Sequence, residues 1–178
     1  MNLPNPDREL YINTLHTLAR RIREVNDAND FDKPTWETLP TKLMFVITEF
    51  DEAVAAVMGT GPDPLQEELA DAAIRLIDVL ESVWPDDWAN RVVKKPASRP
   101  CLERIEVLVW TPIQFICLAT EVWRYERKGD VRTALEIALR ETFTLADRLS
   151  INLIQEIQDK VKRNAARGRL HGKTRPEG

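Results

Sequence analysis

The sequence predicts an all-α protein: a helical bundle built from antiparallel helical hairpins. Apolar residues recur at helical spacing almost throughout, and an Asp/Thr-Pro-x-Gln helix-start pattern occurs twice. No alternating strand pattern survives the accounting. With 178 residues and 43% hydrophobic content, the chain is long enough to bury a substantial core, and we read 1–178 as one domain. Three parts are expected within it: helices over 8–84, an additional helical hairpin over 101–149, and a basic helix and tail over 151–178.

The first helix is expected over 8–25, with Leu10, Leu15, Leu18 and Ile22 facing inward. A polar loop dotted with aromatics, NDANDFDKPTWETLP, follows. The second helix starts near Pro40, where a first turn tolerates proline. Its stripe is Leu43, Ile47, Phe50, Val54 and Val57, and it stops at Gly59 and Gly61. Asp63 is the expected N-cap of the third helix, with Pro64 first and Gln66 reaching back. That helix continues through Leu69, Ala72, Leu76 and Leu80 to Trp84-Pro85. A long loop is expected over 85–100. Val107-Leu108-Val109 suits strand or helix; an isolated strand has nothing to pair with, so we read 102–109 as a short helix. Thr111-Pro112-Ile113-Gln114 opens a helix to about 128, Gly129-Asp130 turns it into another over 131–149, and the last runs from 150–152 to about 168.

A faint internal repeat is also visible. Thr48-Glu49 has an echo in Thr120-Glu121. Aligning Asp63 with Asp130 puts Leu135 and Ala138 where Glu68 and Asp71 stand, and Arg124 takes the place of Glu52. A second hairpin of this kind has lost its carboxylates and keeps a packing role.

The net charge of −4 conceals an asymmetry. Between Leu43 and Asn90 there are eleven acidic residues and one basic residue, Arg75; from Lys160 onward there are seven basic residues and one acidic. The first cluster suggests cation binding and the second an anionic partner. An acidic chain with one short basic cluster argues against a nucleic-acid partner. No stretch approaches the ~18 to 20 apolar residues that a membrane span requires. The start lacks an apolar signal segment, so a cytoplasmic location is expected. Two cysteines, Cys101 and Cys117, read as ordinary packing residues in a reducing compartment.

The chemistry concentrates in two pairs of carboxylates. Glu49 and Glu52 are three apart in one helix, and Glu68 and Asp71 are three apart in the next, so each pair shares a helical face. A short turn between the helices brings the two ledges together as a four-carboxylate cage. Oxygen ligands without His or Cys suit a hard divalent ion, Mg²⁺ or Mn²⁺. Arg75 is expected to pair with Asp71 or Asp78 and orient them. On the last helix Lys160, Asn164 and Arg167 are spaced four and three, so they share a face suited to phosphate oxygens and a sugar or base. His171 reads as a tail contact rather than a base. Beside the acidic box, this helix makes a metal–triphosphate site coherent.

Lys42-Leu43 through Glu49-Phe50-Asp51-Glu52-Ala53, then Glu67-Glu68-Leu69-Ala70-Asp71 and Ile74-Arg75-Leu76-Ile77-Asp78, resembles the MazG-like nucleoside triphosphate pyrophosphohydrolases, an all-α superfamily that includes the dimeric dUTPases. Lys160, Asn164, Arg167 and His171-Gly172-Lys173 are similar to the C-terminal signature of its phage and bacterial members. The resemblance covers about 10–80 and 151–173; where the family often has a further Glu before the first pair, this chain has Thr48. It implies Mg²⁺-dependent hydrolysis of an NTP or dNTP to monophosphate and pyrophosphate. The implied metal ligands are Glu49, Glu52, Glu68 and Asp71, with Glu49 the general base and Lys160 and Arg167 on phosphate oxygens. A base pocket is implied near the first helix and its loop, with Phe31 and Trp36 as candidate stacking residues. A homo-oligomer, preferentially a dimer, is expected, although the additional hairpin offers an internal partner. The alternative is a catalytically inactive nucleotide-binding or assembly module.

Overall fold

A computed structural model of the chain describes residues 6–93 and 105–167, and the statements below concern those residues. They form α1 (Pro6–Ala28), α2 (Leu39–Val57), α3 (Leu65–Val83), α4 (Trp88–Val92), α5 (Ile105–Trp123), α6 (Lys128–Arg148) and α7 (Leu153–Arg167), with no strand among them. The fold is all-α. Cys101, His171 and Lys173 lie outside the described residues.

Helix α3 is the centre. Its apolar residues go round most of its circumference, and Leu69, Leu76, Ile77 and Leu80 are completely buried. Such a helix must be covered on several sides. α2 covers one side through the line Leu39, Leu43, Val46, Phe50 and Ala53, all buried. The expected stripe is therefore rotated slightly: Ile47 and Val54 sit at its margin, and Val46 and Ala53 lie inside. That rotation also carries Glu49 into the interior. α6, α7 and α1 pack on the remaining sides of α3. On α1 the buried line is Leu15, Leu18, Ile22 and Val25; Leu10, expected to face inward, is exposed.

The α5–α6 hairpin lies beside α2–α3, with α5 against α2 and α6 against α3. One chain thus completes a pair of hairpins. Leu135 and Ala138, which the expected repeat aligns with Glu68 and Asp71, are fully buried. α5 runs through Pro112 rather than starting there. Proline removes one intrahelical hydrogen bond, but Val109, Ile113, Ile116 and Ala119 are buried along one face and hold the helix together. Cys117 of this helix is exposed, contrary to its expected packing role.

Helix α4 occupies part of the expected loop. Its Trp88 is fully buried, and its indole Nε1 donates to Glu81 Oε2 at 2.8 Å. Trp36 packs edge-on to Trp84 and tilted against Trp123, both at 6.1 Å, and its carbonyl accepts from Trp123 Nε1 at 3.0 Å. It fastens the α1–α2 loop to α5.

Candidate functional site

The turn between α2 and α3 sets the site. Gly59 takes a left-handed φ of +71°, and the carbonyl of Ala55 accepts from the amides of Thr60 and Gly61. Gly61 lies so close that a Cβ there would stand 2.9 Å from the backbone nitrogen of Ala56. Neither expected capping interaction forms at the start of α3, where Pro64 is the N-cap residue and makes no side-chain bond. The reversal rests on the glycines.

Across this tight turn Glu49 of α2 meets Glu68 and Asp71 of α3. One oxygen from each of the three lies within 4.8 Å of the others. Glu49 is 6% exposed and Glu68 2%. Glu52 is exposed and stands outside this triad, one turn further along α2, although its charge acts on both Glu49 and Glu68. Thr48 is exposed, and its hydroxyl donates to the carbonyl of Met44 at 3.0 Å.

Two cations approach the triad, each from a different direction. Arg75, expected to pair along its own helix, instead crosses to α2: Nε donates to Glu49 Oε1 at 2.6 Å and Nη2 stands 2.5 Å from the same oxygen. Asp71 is met by Lys160 of α7, with Nζ at 2.7 Å from Oδ2. Lys160 is also 3.3 Å from Glu67, which pairs with Arg163 at 3.1 Å. Each of these contacts falls on a single oxygen of Glu49 or Asp71, so each carboxylate keeps a second. No ion pair reaches Glu68 among the described residues.

The electrostatics follow from this arrangement. Burial pushes the Glu68 carboxyl up to about 7, and the charges of Glu52, Glu49, Asp71 and Asp63 add to the rise. Glu49 and Asp71 are also raised by burial, against the pull of Arg75 and Lys160 respectively. Burial lowers Lys160, but Asp71 and Glu67 outweigh it and its pKa is raised. Two buried carboxylates and a half-buried one, of which Glu68 lacks a cation, form a set of hard oxygen donors. The donor chemistry fits Mg²⁺ or Mn²⁺.

Beside the triad is a cavity of about 360 Å³, the size range of small-molecule sites. Asp71 and Arg75 belong to both the triad's surroundings and the cavity wall. Phe31, Phe45, Ile74 and Val79 supply apolar surface; Asn26, Lys42, Asp78 and Asn164 supply polar groups. Phe31 is therefore where a base pocket was expected, while Trp36 is not in this wall. Of the three residues expected on one face of α7, Lys160 is buried against the carboxylates, Asn164 lines the cavity and Arg167 is exposed.

Asn26 escaped the reading of motifs, and Lys42 and Phe45, within the stretch that carries the family resemblance, were given no role at the site. Asn26 follows Arg23 by three on α1, beside the buried line, and that spacing was the available signal; their shared partner, Asp78 of α3, is fixed only by packing. Compared with protein-family models, curated proteins and solved structures, the chain matches none.

Proposed function

We propose that the chain is a Mg²⁺-dependent nucleoside triphosphate pyrophosphohydrolase of the MazG-like kind, acting on an NTP or dNTP in the cytoplasm. The observation that carries the reading is the meeting of Glu49, Glu68 and Asp71 at the edge of an amphipathic cavity. These three would hold the ion, with Glu52 at the exposed edge. Mg²⁺ bound there supplies a Lewis acid toward the triphosphate oxygens.

The chain's own residues do the rest. Water attacks the α-phosphorus, its proton passes to Glu49, and the bond from that phosphorus to the α–β bridging oxygen breaks, releasing monophosphate and pyrophosphate. Arg75 fixes Glu49 through one oxygen and leaves the other for the water. Burial raises the carboxyl of Glu49 above its ordinary value, against the pull of Arg75. Asn164 offers its amide from the cavity wall, and Arg167, exposed at the end of the same helix, would meet phosphate oxygens. Lys160 reaches phosphate only by leaving Asp71 and Glu67.

A second reading has its own observation. The Arg75–Glu49 and Lys160–Asp71 pairs neutralise two of the three carboxylates from within the chain, as an inactive nucleotide-binding or assembly module permits. A panel of canonical and modified NTPs, scored for pyrophosphate with and without Mg²⁺, separates the two. We expect Mg²⁺-dependent release, lost by roughly a hundredfold or more in Glu68→Gln with the helical circular dichroism signal retained. Nucleotide binding with no pyrophosphate from any substrate would decide for the inactive module.

A further inference from the structure

The polar side of the cavity is organised by one carboxylate. Arg23 Nη1 of α1 donates to both oxygens of Asp78, at 2.9 and 3.0 Å, and Asn26 Nδ2 donates to Asp78 Oδ2 at 3.0 Å. A carboxylate spanned by a guanidinium is ionised and accepts only. The end of the Asn26 amide that faces it must therefore be the NH₂ group. The opposite end, Oδ1, is left as a hydrogen-bond acceptor on a residue that lines the cavity, and no protein donor reaches it among the described residues. The amide cannot turn over without setting its oxygen against Asp78.

An acceptor held in this way receives an N–H and repels a carbonyl. Resting on the nucleotide reading above, we propose that Asn26 reads the base, selecting a ring with an exocyclic amine (cytosine or adenine type) over its oxo counterpart. Cytosine presents a donor where uracil presents an acceptor, and adenine differs from hypoxanthine in the same sense. Phe31 and Phe45 offer apolar surface to the ring faces. Lys42, in the same wall, donates once to the carbonyl of Asp32 at 3.0 Å and keeps further N–H groups for a ring nitrogen beside the amine. Asn26 is the specificity-determining residue; Asp78 and Arg23 are positioning residues that act through it.

Calorimetric titration with the α,β-methylene analogues of CTP, UTP, ATP and ITP, in the presence of Mg²⁺, measures this without cleavage. In whichever pair binds, the amine-bearing member should bind roughly tenfold or more tightly than its oxo counterpart, the order of effect of a mispaired buried acceptor. Asn26→Ala, a change that helices accept readily, should bring that ratio to within about twofold of one. Asp78→Asn, which lets the Asn26 amide turn over, should do the same. The ratio is the readout because a general loss of packing weakens both members of a pair alike. Should Asp78→Asn fail to fold, Asn26→Ala decides alone. A wild-type ratio near one, a preference for the oxo base, no binding of either pair, or an unchanged ratio in Asn26→Ala overturns the proposal. Amine preference without pyrophosphate release overturns the hydrolase reading alone; release without base preference overturns only the role of Asn26.

Discussion

At Glu68, burial and the charges of Glu52, Glu49, Asp71 and Asp63 all act in one direction, raising the carboxyl from 4.5 to about 7. The consequence for stability has a definite sign. Between those two values the native protein keeps a proton that the unfolded chain has released, so stability falls as pH rises and levels off above about 7. Glu49 and Asp71, raised by burial although Arg75 and Lys160 oppose it, act in the same sense. Metal-free protein should therefore melt at a higher temperature at about pH 5.5 than at about pH 8, and Glu68→Gln should flatten that slope. Mg²⁺ at the higher pH should raise the melting temperature of the wild type far more than that of Glu68→Gln. Scanning calorimetry across this range is the check, and an identical slope in the two proteins would show that Glu68 titrates as an ordinary surface carboxyl.

Two connections between elements decide whether the triad exists. One is the α3–α7 contact, in which Lys160, 8% exposed, reaches Asp71 and Glu67. Removing the cation leaves Asp71 without its ion-pair partner, while Glu67 keeps Arg163, so Lys160→Met should cost about 3 kcal/mol in urea unfolding. Arg167, exposed at the end of the same helix, should behave differently. Arg167→Ala should leave unfolding unchanged and lower kcat/KM by about 2 to 4 kcal/mol of transition-state stabilisation. Wild-type kinetics in Arg167→Ala would reduce that helix end to a solvated terminus. The other connection is the α2–α3 turn. Gly61→Ala sets a methyl group 2.9 Å from the backbone nitrogen of Ala56, an atom that cannot turn aside. It should destabilise the fold by about 1 to 3 kcal/mol and weaken Mg²⁺ binding, because relieving the contact moves α3 relative to α2. Calorimetry of Mg²⁺ binding to this variant tests the link between turn and site.

For the molecule as a whole, the packing of α5–α6 beside α2–α3 changes what self-association requires. A second hairpin from the same chain lies against the first, α5 on α2 and α6 on α3. A dimer is the expected species in sedimentation; a particle of single-chain mass would mean that α5–α6 takes the place of a partner's hairpin. Among the described residues no helix is long and apolar enough to cross a membrane.

Helix content was legible in the sequence because burying one face of a helix imposes a local period, and Leu43, Phe50, Leu69, Leu76 and Leu80 display it without reference to any neighbour. For the same reason Glu49, Glu68 and Asp71 could be named as candidates, and the spacing of three does put Glu68 and Asp71 on one face; that Glu52, three from Glu49, would stay exposed was not legible. What crosses between helices was not. That Arg75 would choose Glu49 over Asp71 or Asp78, that Asp78 would be held by Arg23 and Asn26, and that Lys160 would be occupied by Asp71 and Glu67 depend on helix rotations and interhelical distances. Pro112 inside α5 belongs to the same class, since its local signal was overruled by burial on one face. Local periodicity encodes which face of each helix turns inward. Which partner each charge meets is decided only when the helices pack, because several carboxylates within reach differ by little until burial makes one pairing far cheaper than the others.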